Sequence, residues 1–151
     1  MPWIAPVFDR TLEDAVYGNP KGCVDAVTLN RIEGNTNYLF QRFKEHHIPY
    51  GIDYVPVLRA WDRTKYIRVS TFNDIKHNIM HLRASAFRYN STPILTDSQA
   101  YDGVPYTELN DMEKILYDIN QLLESSRTVS RIEGTFTLGS NYQRQYIRAV
   151  R

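Results

Sequence analysis

Three segments of this sequence align with one another without gaps, and this internal repeat restricts the fold more than any other feature. The segments are TLNRIEGNTNYL from Thr28, TFNDIKHNIMHL from Thr71 and ELNDMEKILYDI from Glu108. In each segment a hydrophobic residue is followed by Asn, and apolar residues recur three and ten positions after that hydrophobic residue. Because such spacings place side chains on one stripe of an α-helix, the repeat predicts three amphipathic helices.

The stripes predict the core of the protein. Thr36 interrupts the stripe of the first segment at a position that Ile79 and Leu116 fill in the other two. We expect these residues to be buried together: Leu29, Ile32, Leu39, Phe72, Ile75, Ile79, Leu82, Leu109, Met112, Leu116 and Ile119. The Asn in each first turn is a poor helix former. Its recurrence indicates an amide that bonds the backbone of an adjoining loop, with a role as an alternative cap left open.

The helix boundaries follow from capping residues. A Ser or Thr stands at the start of each segment and can accept a hydrogen bond from a free N–H group of the first turn, Thr28 in the first segment and Thr107 in the third. A shorter helix is predicted through TLEDAVYG, where Thr11 and Asp14 suit a capping box. The three longer helices are predicted near residues 28–46, 71–86 and 107–125.

After Ser125 the pattern changes to that of β-strands. RIEGTFTL and YQRQYIRAV predict two strands around the turn signal Gly139-Ser140-Asn141. The tetrapeptide RIEG, which also occurs in the first helix, would here open a hairpin at Arg131. The predicted fold class is therefore mainly α: a small three-helix bundle with a short N-terminal helix, long connectors and a C-terminal β-hairpin. We expect a helical domain over residues 1–126 and an attachment segment over 127–151, together forming a single compact unit.

The composition argues against several classes of protein. The chain has 18 basic and 17 acidic residues, so its charge does not indicate a nucleic acid or an anionic membrane as a partner. Its single Cys23 excludes an internal disulfide framework and a cysteine-rich zinc site, which fits a reducing cytosol. The start MPWIAPVFDR lacks the features of a signal peptide, and no apolar stretch approaches the ~18 residues of a membrane span.

Few residues suggest a catalytic or metal-binding site. His77 and His81 are four positions apart on one helix face, as metal ligands can be, but no third ligand is evident and a solvated or hydrogen-bonded basic face is the favoured interpretation. Glu108 and Asp111 pair near a helix start, where acids usually cap or are solvated, although a glycosidase-like acid pair stays open. We therefore predict no catalytic residue, no metal and no cofactor.

Aromatic residues make up 13% of the chain, which favours an aromatic core or contact surfaces. Trp61 lies in a connector, and we expect its side chain to fill the helical core rather than to form an interface. The C-terminal hairpin is too polar to be buried completely, and we expect it to be an interface that pairs with an acid-rich surface around the third helix. The predicted interface residues are Phe136, Leu138, Tyr142, Arg144, Tyr146, Ile147 and Arg148.

The order of the short motifs carries a family resemblance. Along the chain stand FDRTLEDAVYG, KGCVDAVTLNRIEGNTNYL, a Trp connector leading to STFNDIKHNIMHLRA, TPIL, VPYTELNDMEKILYDINQLL and a closing EGTFTLG. In this order the motifs resemble those of small tail or baseplate-region proteins of phages and prophages of Gram-positive bacteria. The closing motif departs from the Ser-Gly-Glu pattern of that family, since Glu133-Gly134-Thr135 stands in its place. The resemblance implies a structural part of the virion, with no established enzyme activity or cofactor.

The predicted function is that of a noncatalytic structural component of a phage tail, at the baseplate or tail tip, made in the host cytoplasm and then part of the virion. Its expected partners are other tail or baseplate proteins and further copies of itself, with no nucleic acid and no membrane. Two alternatives stay open: a host-surface or saccharide-binding module of the virion that uses exposed Tyr and Trp, and a hydrolase of cell-wall material.

Overall fold

Helices are the only regular structure in the described part of the chain. The computed structural model describes residues 2–19, 21–22, 24–46, 48, 58–85, 88–99 and 104–132. Its helices are α1 (Leu12–Val16), α2 (Ala26–Glu45), α3 (Val69–Ser85) and α4 (Tyr106–Ile132). The chain divides into two compact units, Met1–Asn120 and Gln121–Arg151. The helical architecture that the sequence predicted is confirmed in this coarser form, while the predicted division after residue 126 stays a prediction.

The helix starts show capping chemistry. Thr11 and Asp14 form the predicted capping box of α1, in which each side chain accepts from the backbone N–H of the other residue. The start of α2 differs from the prediction, because Asp25 is its N-cap and accepts from the N–H of Thr28 at 2.7 Å. Thr28 is itself buried in the first turn. The physical reason is that Asp25, three residues before Thr28, satisfies one of the free N–H groups of the first turn, and its negative charge also suits the helix dipole.

The predicted core is confirmed. All eleven apolar residues that the repeat places on the stripes are at most 4% exposed. Helix α2 packs against α3 within the first unit. Thr36, which interrupts the first stripe, is also buried, and its hydroxyl donates to the carbonyl of Ile32 at 2.7 Å. Since the hydroxyl is satisfied inside its own helix, a polar residue is tolerated at this core position.

The C-terminal prediction needs correction, because α4 is longer than the sequence suggested. The helix does not end near residue 125 but continues through Arg131 to Ile132, so the second RIEG does not open a strand at Arg131. No Gly or Pro occurs within Tyr106–Ile132. The β-branched Thr128 and Val129 lower helix propensity by less than ~1 kcal/mol each, which does not end a helix that is already formed and extends cooperatively. The predicted β-hairpin is thus not supported, and its remaining part, 133–151, lies outside the described residues.

Candidate functional site

The recurrent Asn of each repeat holds the backbone of an adjoining segment. In α2, Asn30 donates its amide to the carbonyl of Trp61 at 2.8 Å and accepts from the N–H of Trp61 at 2.7 Å. In α3, Asn73 makes the same two bonds with Ser98, at 3.2 and 2.9 Å. Each Asn thus replaces the two backbone partners that a strand would supply. The prediction that these amides bond a neighbouring loop is confirmed.

The third repeat makes the same contact with the N-terminal segment. Asn110 of α4 donates to the carbonyl of Arg10 at 2.9 Å and accepts from its N–H at 3.1 Å. A fourth amide, that of Asn35 in α2, holds Ile4 in the same way at 2.7 and 3.0 Å. We call these four pairs of bonds the asparagine clamps. They give irregular segments of the first unit defined hydrogen-bond partners, although no strand lies beside them in the described residues.

A second feature of the repeat is a buried charge three residues after each recurrent Asn. These residues are Glu33, Lys76 and Glu113, and none is more than 5% exposed. In α2, Glu33 accepts from the backbone N–H of Arg59 at 2.9 Å and from its guanidinium at 2.5 Å. Burial of an unpaired charge is very costly, so each of these positions has to hold a partner. The partner of Glu33 belongs to the same connector that Asn30 clamps.

Lys76 holds the connector that precedes α4. Its ammonium donates to the carbonyl of Thr96 at 2.5 Å and to the hydroxyl of Ser98 at 2.7 Å. It also pairs with Glu108 of α4 at 2.7 Å. The side chain of Lys76 is almost completely buried, and these three acceptors use all three of its N–H donors.

Glu113 is the centre of a buried polar cluster. Its carboxylate is fully buried and accepts from the guanidinium of Arg10 at 2.6 Å. Arg31 of α2 binds the same carboxylate with two N–H groups, at 2.8 and 2.9 Å, and the N–H of Val7 completes the set at 2.6 Å. The Arg10 side chain is also fully buried and donates through Nε to the carbonyl of Lys21 at 2.8 Å. One carboxylate therefore joins α4, α2 and the N-terminal segment.

Together these contacts follow a cyclic order within the first unit. Helix α2 holds the segment that precedes α3, α3 holds the segment that precedes α4, and α4 holds the N-terminal segment that precedes α1 and α2. The buried charges of the three helices repeat this order. The sequence analysis identified the recurrent Asn but missed the buried charges. Their signal in the sequence is a charged residue three positions after the Asn in all three segments.

The clamps lead to a stability prediction. Asn110→Ala removes both bonds to the backbone of Arg10 and leaves a backbone N–H and C=O without partners, so we expect the free energy of unfolding to fall by about 1–3 kcal/mol. Urea denaturation followed by circular dichroism measures the change. Asn90→Ala is the matched control, because Asn90 is exposed in a turn and has no side-chain partner among the described residues. Equal effects of the two substitutions would contradict the clamp.

An open cleft lies where the connector from residue 58 onward meets the first turn of α3. Its volume is about 460 Å³, and it is lined by Arg59, Trp61, Lys65, Tyr66, Arg68 and Thr71. Three of these side chains are cationic and none is acidic. Tyr66 is 93% exposed, whereas Trp61 is only 7% exposed. The burial of Trp61 confirms that this residue belongs to the core and does not serve as an exposed binding residue.

The backbone that forms one wall of the cleft is tightly held. Ala60 has a positive φ of 48°, which is unfavourable for a residue with a side chain. The ammonium of Lys65 donates to the carbonyls of Arg59 and Ala60 at 2.6 and 2.7 Å, while Glu33 and the Asn30 clamp hold the residues on either side of Ala60. Such a strained conformation persists only where the surroundings over-determine it. The cleft wall is therefore preorganised.

The histidines that the sequence singled out have an ordinary partner. His77 pairs with Asp97 through Nε2 and Oδ1 at 2.7 Å, and both side chains are more than half exposed. His81 also makes an interaction within the chain. Across the described ranges, no group of three or more His, Cys, Asp and Glu side chains is placed to hold a metal ion.

The acid pair near the start of α4 has two different environments. Glu108 is bonded to Lys76 and also accepts from the hydroxyl of Ser98 at 3.2 Å. Burial, together with the negative charge of Glu108, raises the pKa of the Asp111 carboxyl above its ordinary value. Glu108 is therefore used to hold the connector before α4, as part of the contacts of Lys76.

The predicted interface falls on the C-terminal segment. All seven predicted interface residues lie outside the described residues: Phe136, Leu138, Tyr142, Arg144, Tyr146, Ile147 and Arg148. Their proposed acidic counterpart is smaller than the sequence suggested, because Glu113 and Asp118 of α4 are buried. Asp118 accepts from the hydroxyl of Thr92 at 2.7 Å and pairs with Lys114.

Comparison with protein-family models, with curated proteins and with solved structures found no match for this chain. Among the described residues, no helix combines the length and the apolar character that crossing a membrane requires.

Proposed function

We propose that this protein is a noncatalytic structural component of a phage tail, located at the baseplate or tail tip, where it packs against other tail proteins and against copies of itself. The order of motifs along the chain supports this proposal by resemblance. The observation that carries it is the use made of the polar residues in those motifs. Arg10 of FDRT, Asn30 and Glu33 of TLNRIE, and Glu113 of ELNDME all bind other segments of the same chain.

The physical argument starts from what these residues stabilise. Arg and Glu side chains that carry out chemistry keep a group directed towards a substrate, whereas the carboxylate of Glu113 is fully buried against Arg10 and Arg31. The motif residues therefore maintain one arrangement of helices and connectors. A subunit of an ordered particle needs such a single arrangement, because each copy has to present the same surfaces to its neighbours.

The attachment element is proposed to be the C-terminal segment. Residues from about 128 onward carry Arg beside aromatic and aliphatic residues, a composition that is enriched in the cores of protein interfaces. The first unit has its own buried core and its own set of clamps. We therefore propose that the C-terminal segment, rather than the first unit, makes the contacts with a neighbouring subunit or with another tail protein.

The proposal is tested by incorporation into particles. Tail particles of the phage or prophage that encodes this chain are purified, and the chain is detected with an antibody and counted by quantitative mass spectrometry. We expect it in a fixed ratio to the other tail proteins, and we expect deletion of its gene to abolish the assembly of complete tails. Its absence from purified particles with normal tails would refute the proposal.

A truncation separates the core from the attachment element. Removal of all residues after Ser126 is expected to leave a folded helical domain, with a cooperative thermal transition by circular dichroism, that no longer enters particles. The full-length chain supplied from the same plasmid is the control. An unfolded truncated chain would place the C-terminal segment in the core, and normal incorporation would show that the attachment element lies elsewhere.

A further inference from the structure

We propose that the open cleft around Lys65, Tyr66 and Arg68 binds a phosphate ester attached to a ring, with the two cations on the phosphate and the Tyr66 side chain against the ring. This ligand site goes beyond the proposed structural role and does not depend on it. We call it the connector cleft, and it comprises the six residues that line the 460 Å³ volume at the start of α3.

The cations of the connector cleft differ in their availability. Arg59 is engaged by Glu33 and Asp74, at 2.5 and 3.4 Å, so its charge is largely matched. Lys65 donates to two neutral carbonyls, which leaves one N–H donor and the positive charge available. Arg68 is exposed, and its guanidinium has no partner among the described residues. Two cations are therefore left for an anion.

The acid closest in sequence is directed to a different partner. Asp62 accepts from the hydroxyl and the N–H of Thr64 at 2.6 and 2.8 Å. These hydrogen bonds, with a smaller contribution from Lys65, hold the pKa of the Asp62 carboxyl below its ordinary value. Asp62 does not line the cleft. A bound phosphate would therefore meet Lys65 and Arg68 without a carboxylate in the cleft wall.

A further group of donors lies at the wall of the cleft. Thr71 belongs to the first turn of α3, where free N–H groups and the helix dipole favour an anion. These N–H groups would donate to a phosphate held by Lys65 and Arg68.

The ring specificity follows from Tyr66. The side chain is 93% exposed, and none of the ring contacts found in the described residues includes it. An aromatic ring beside cations is the combination that holds the phosphate of a sugar phosphate or nucleotide while its ring lies on the tyrosine. The shared chemistry is a phosphate ester next to a ring, whether that ring is a sugar or a base.

The test uses the full-length chain and titration calorimetry, with two-dimensional NMR to locate the site. The probes are glucose 1-phosphate, AMP, inorganic phosphate and glucose. We expect at least one of the two esters to bind more tightly than inorganic phosphate, glucose not to bind, and amide shifts to concentrate at residues 59–71. The better ester identifies the ring as a sugar or a base. Binding of neither ester, or shifts confined to other parts of the chain, would overturn the proposal.

Variants distinguish specific binding in the cleft from nonspecific attraction of the phosphate to surface cations. Arg68→Gln and Tyr66→Ala each remove an exposed side chain and are each expected to weaken binding of the better ester by about tenfold, since about 1.4 kcal/mol corresponds to one decade of affinity. Arg63→Gln is the matched control, because Arg63 is exposed in the same connector but does not line the cleft. We expect it to change affinity by less than about twofold. Equal loss with Arg63→Gln and Arg68→Gln, or an unchanged affinity in Tyr66→Ala, would refute the site.

Discussion

Replacement of Glu113 by glutamine is expected to lower the free energy of unfolding by roughly 3–5 kcal/mol, the range found when one partner of a buried ion pair is removed. The amide keeps the size of the side chain but not its charge. Arg10, whose side chain is fully buried, then stays as a buried cation without a counter-charge. Arg31 loses the same partner, and the N–H of Val7 loses an ionised acceptor. The loss of stability therefore comes from Arg10, Arg31 and the N–H of Val7, which lose their charged partner.

Urea denaturation and thermal melting of the full-length protein measure this loss. Glu45→Gln is the matched control, because Glu45 ends α2, is exposed and has no side-chain partner among the described residues. We expect the control to stay within about 0.5 kcal/mol of the parent protein. A Glu113→Gln protein as stable as the control would show that the cluster contributes nothing to folding.

A double variant tests whether stability requires the two charges themselves or only that neither charge is left unpaired. Arg10→Met combined with Glu113→Leu removes both charges, so that no buried cation is left at position 10. We expect this double variant to be less destabilised than the sum of the two single variants, since Glu113→Leu alone leaves Arg10 as a buried cation without a counter-charge, and Arg10→Met alone removes one of the two cations that bind the buried carboxylate. A purely additive result would show that Arg10 and Glu113 do not interact energetically.

Leu116→Ala is expected to destabilise the protein by about 2–5 kcal/mol, because it removes buried methyl groups and leaves a cavity. Leu116 is completely buried in α4, on the stripe that the repeat predicted. Leu39→Ala in α2 is expected to fall in the same range for the same reason. Chemical denaturation with fits of both the midpoint and the slope measures the change.

Leu12→Ala is the matched control for the core substitutions. Leu12 is 64% exposed on α1, so the same chemical change removes far less buried surface. We expect its effect to stay below about 1 kcal/mol. If Leu12→Ala cost as much as Leu116→Ala, the stripe would not form the core of the first unit.

The local sequence pattern was sufficient to predict the helices and their buried faces. Helical periodicity depends on neighbouring residues in sequence, and each repeat satisfies it separately. The burial of Leu39, Leu82 and Ile119 could therefore be predicted without knowing which helix each one contacts. The capping box of α1 was predictable for the same reason, since Thr11 and Asp14 are three residues apart.

The connectors show where local pattern becomes insufficient. The recurrence of Asn30, Asn73 and Asn110 predicted that an adjoining loop would be bonded, but not which residue of which loop. Nothing in the sequence near Asn110 indicates Arg10, which lies 100 positions away. The connector cleft was missed because its residues become neighbours only when the connector is fixed across the first turn of α3.

The end of α4 shows a case in which two local signals competed. The β-branched and aromatic residues after Ser125 favoured a strand, whereas the absence of Gly and Pro up to Ile132 allowed the helix to continue. Helix extension adds one hydrogen bond for each residue that is fixed, so a preformed helix continues through weakly unfavourable residues. The strand prediction gave too little weight to this cooperativity.

By itself, the sequence determined the three long helices, the stripe of residues that each one buries, and the amide that each first turn offers to a loop. Only the tertiary structure decided which segment each amide holds and which buried charge meets which partner. The physical reason is that helix formation and amphipathicity are set by contacts three or four residues apart. The partner of a buried charge such as Glu113 is set by which segments the folded chain brings together, and that information is spread over the whole of the first unit.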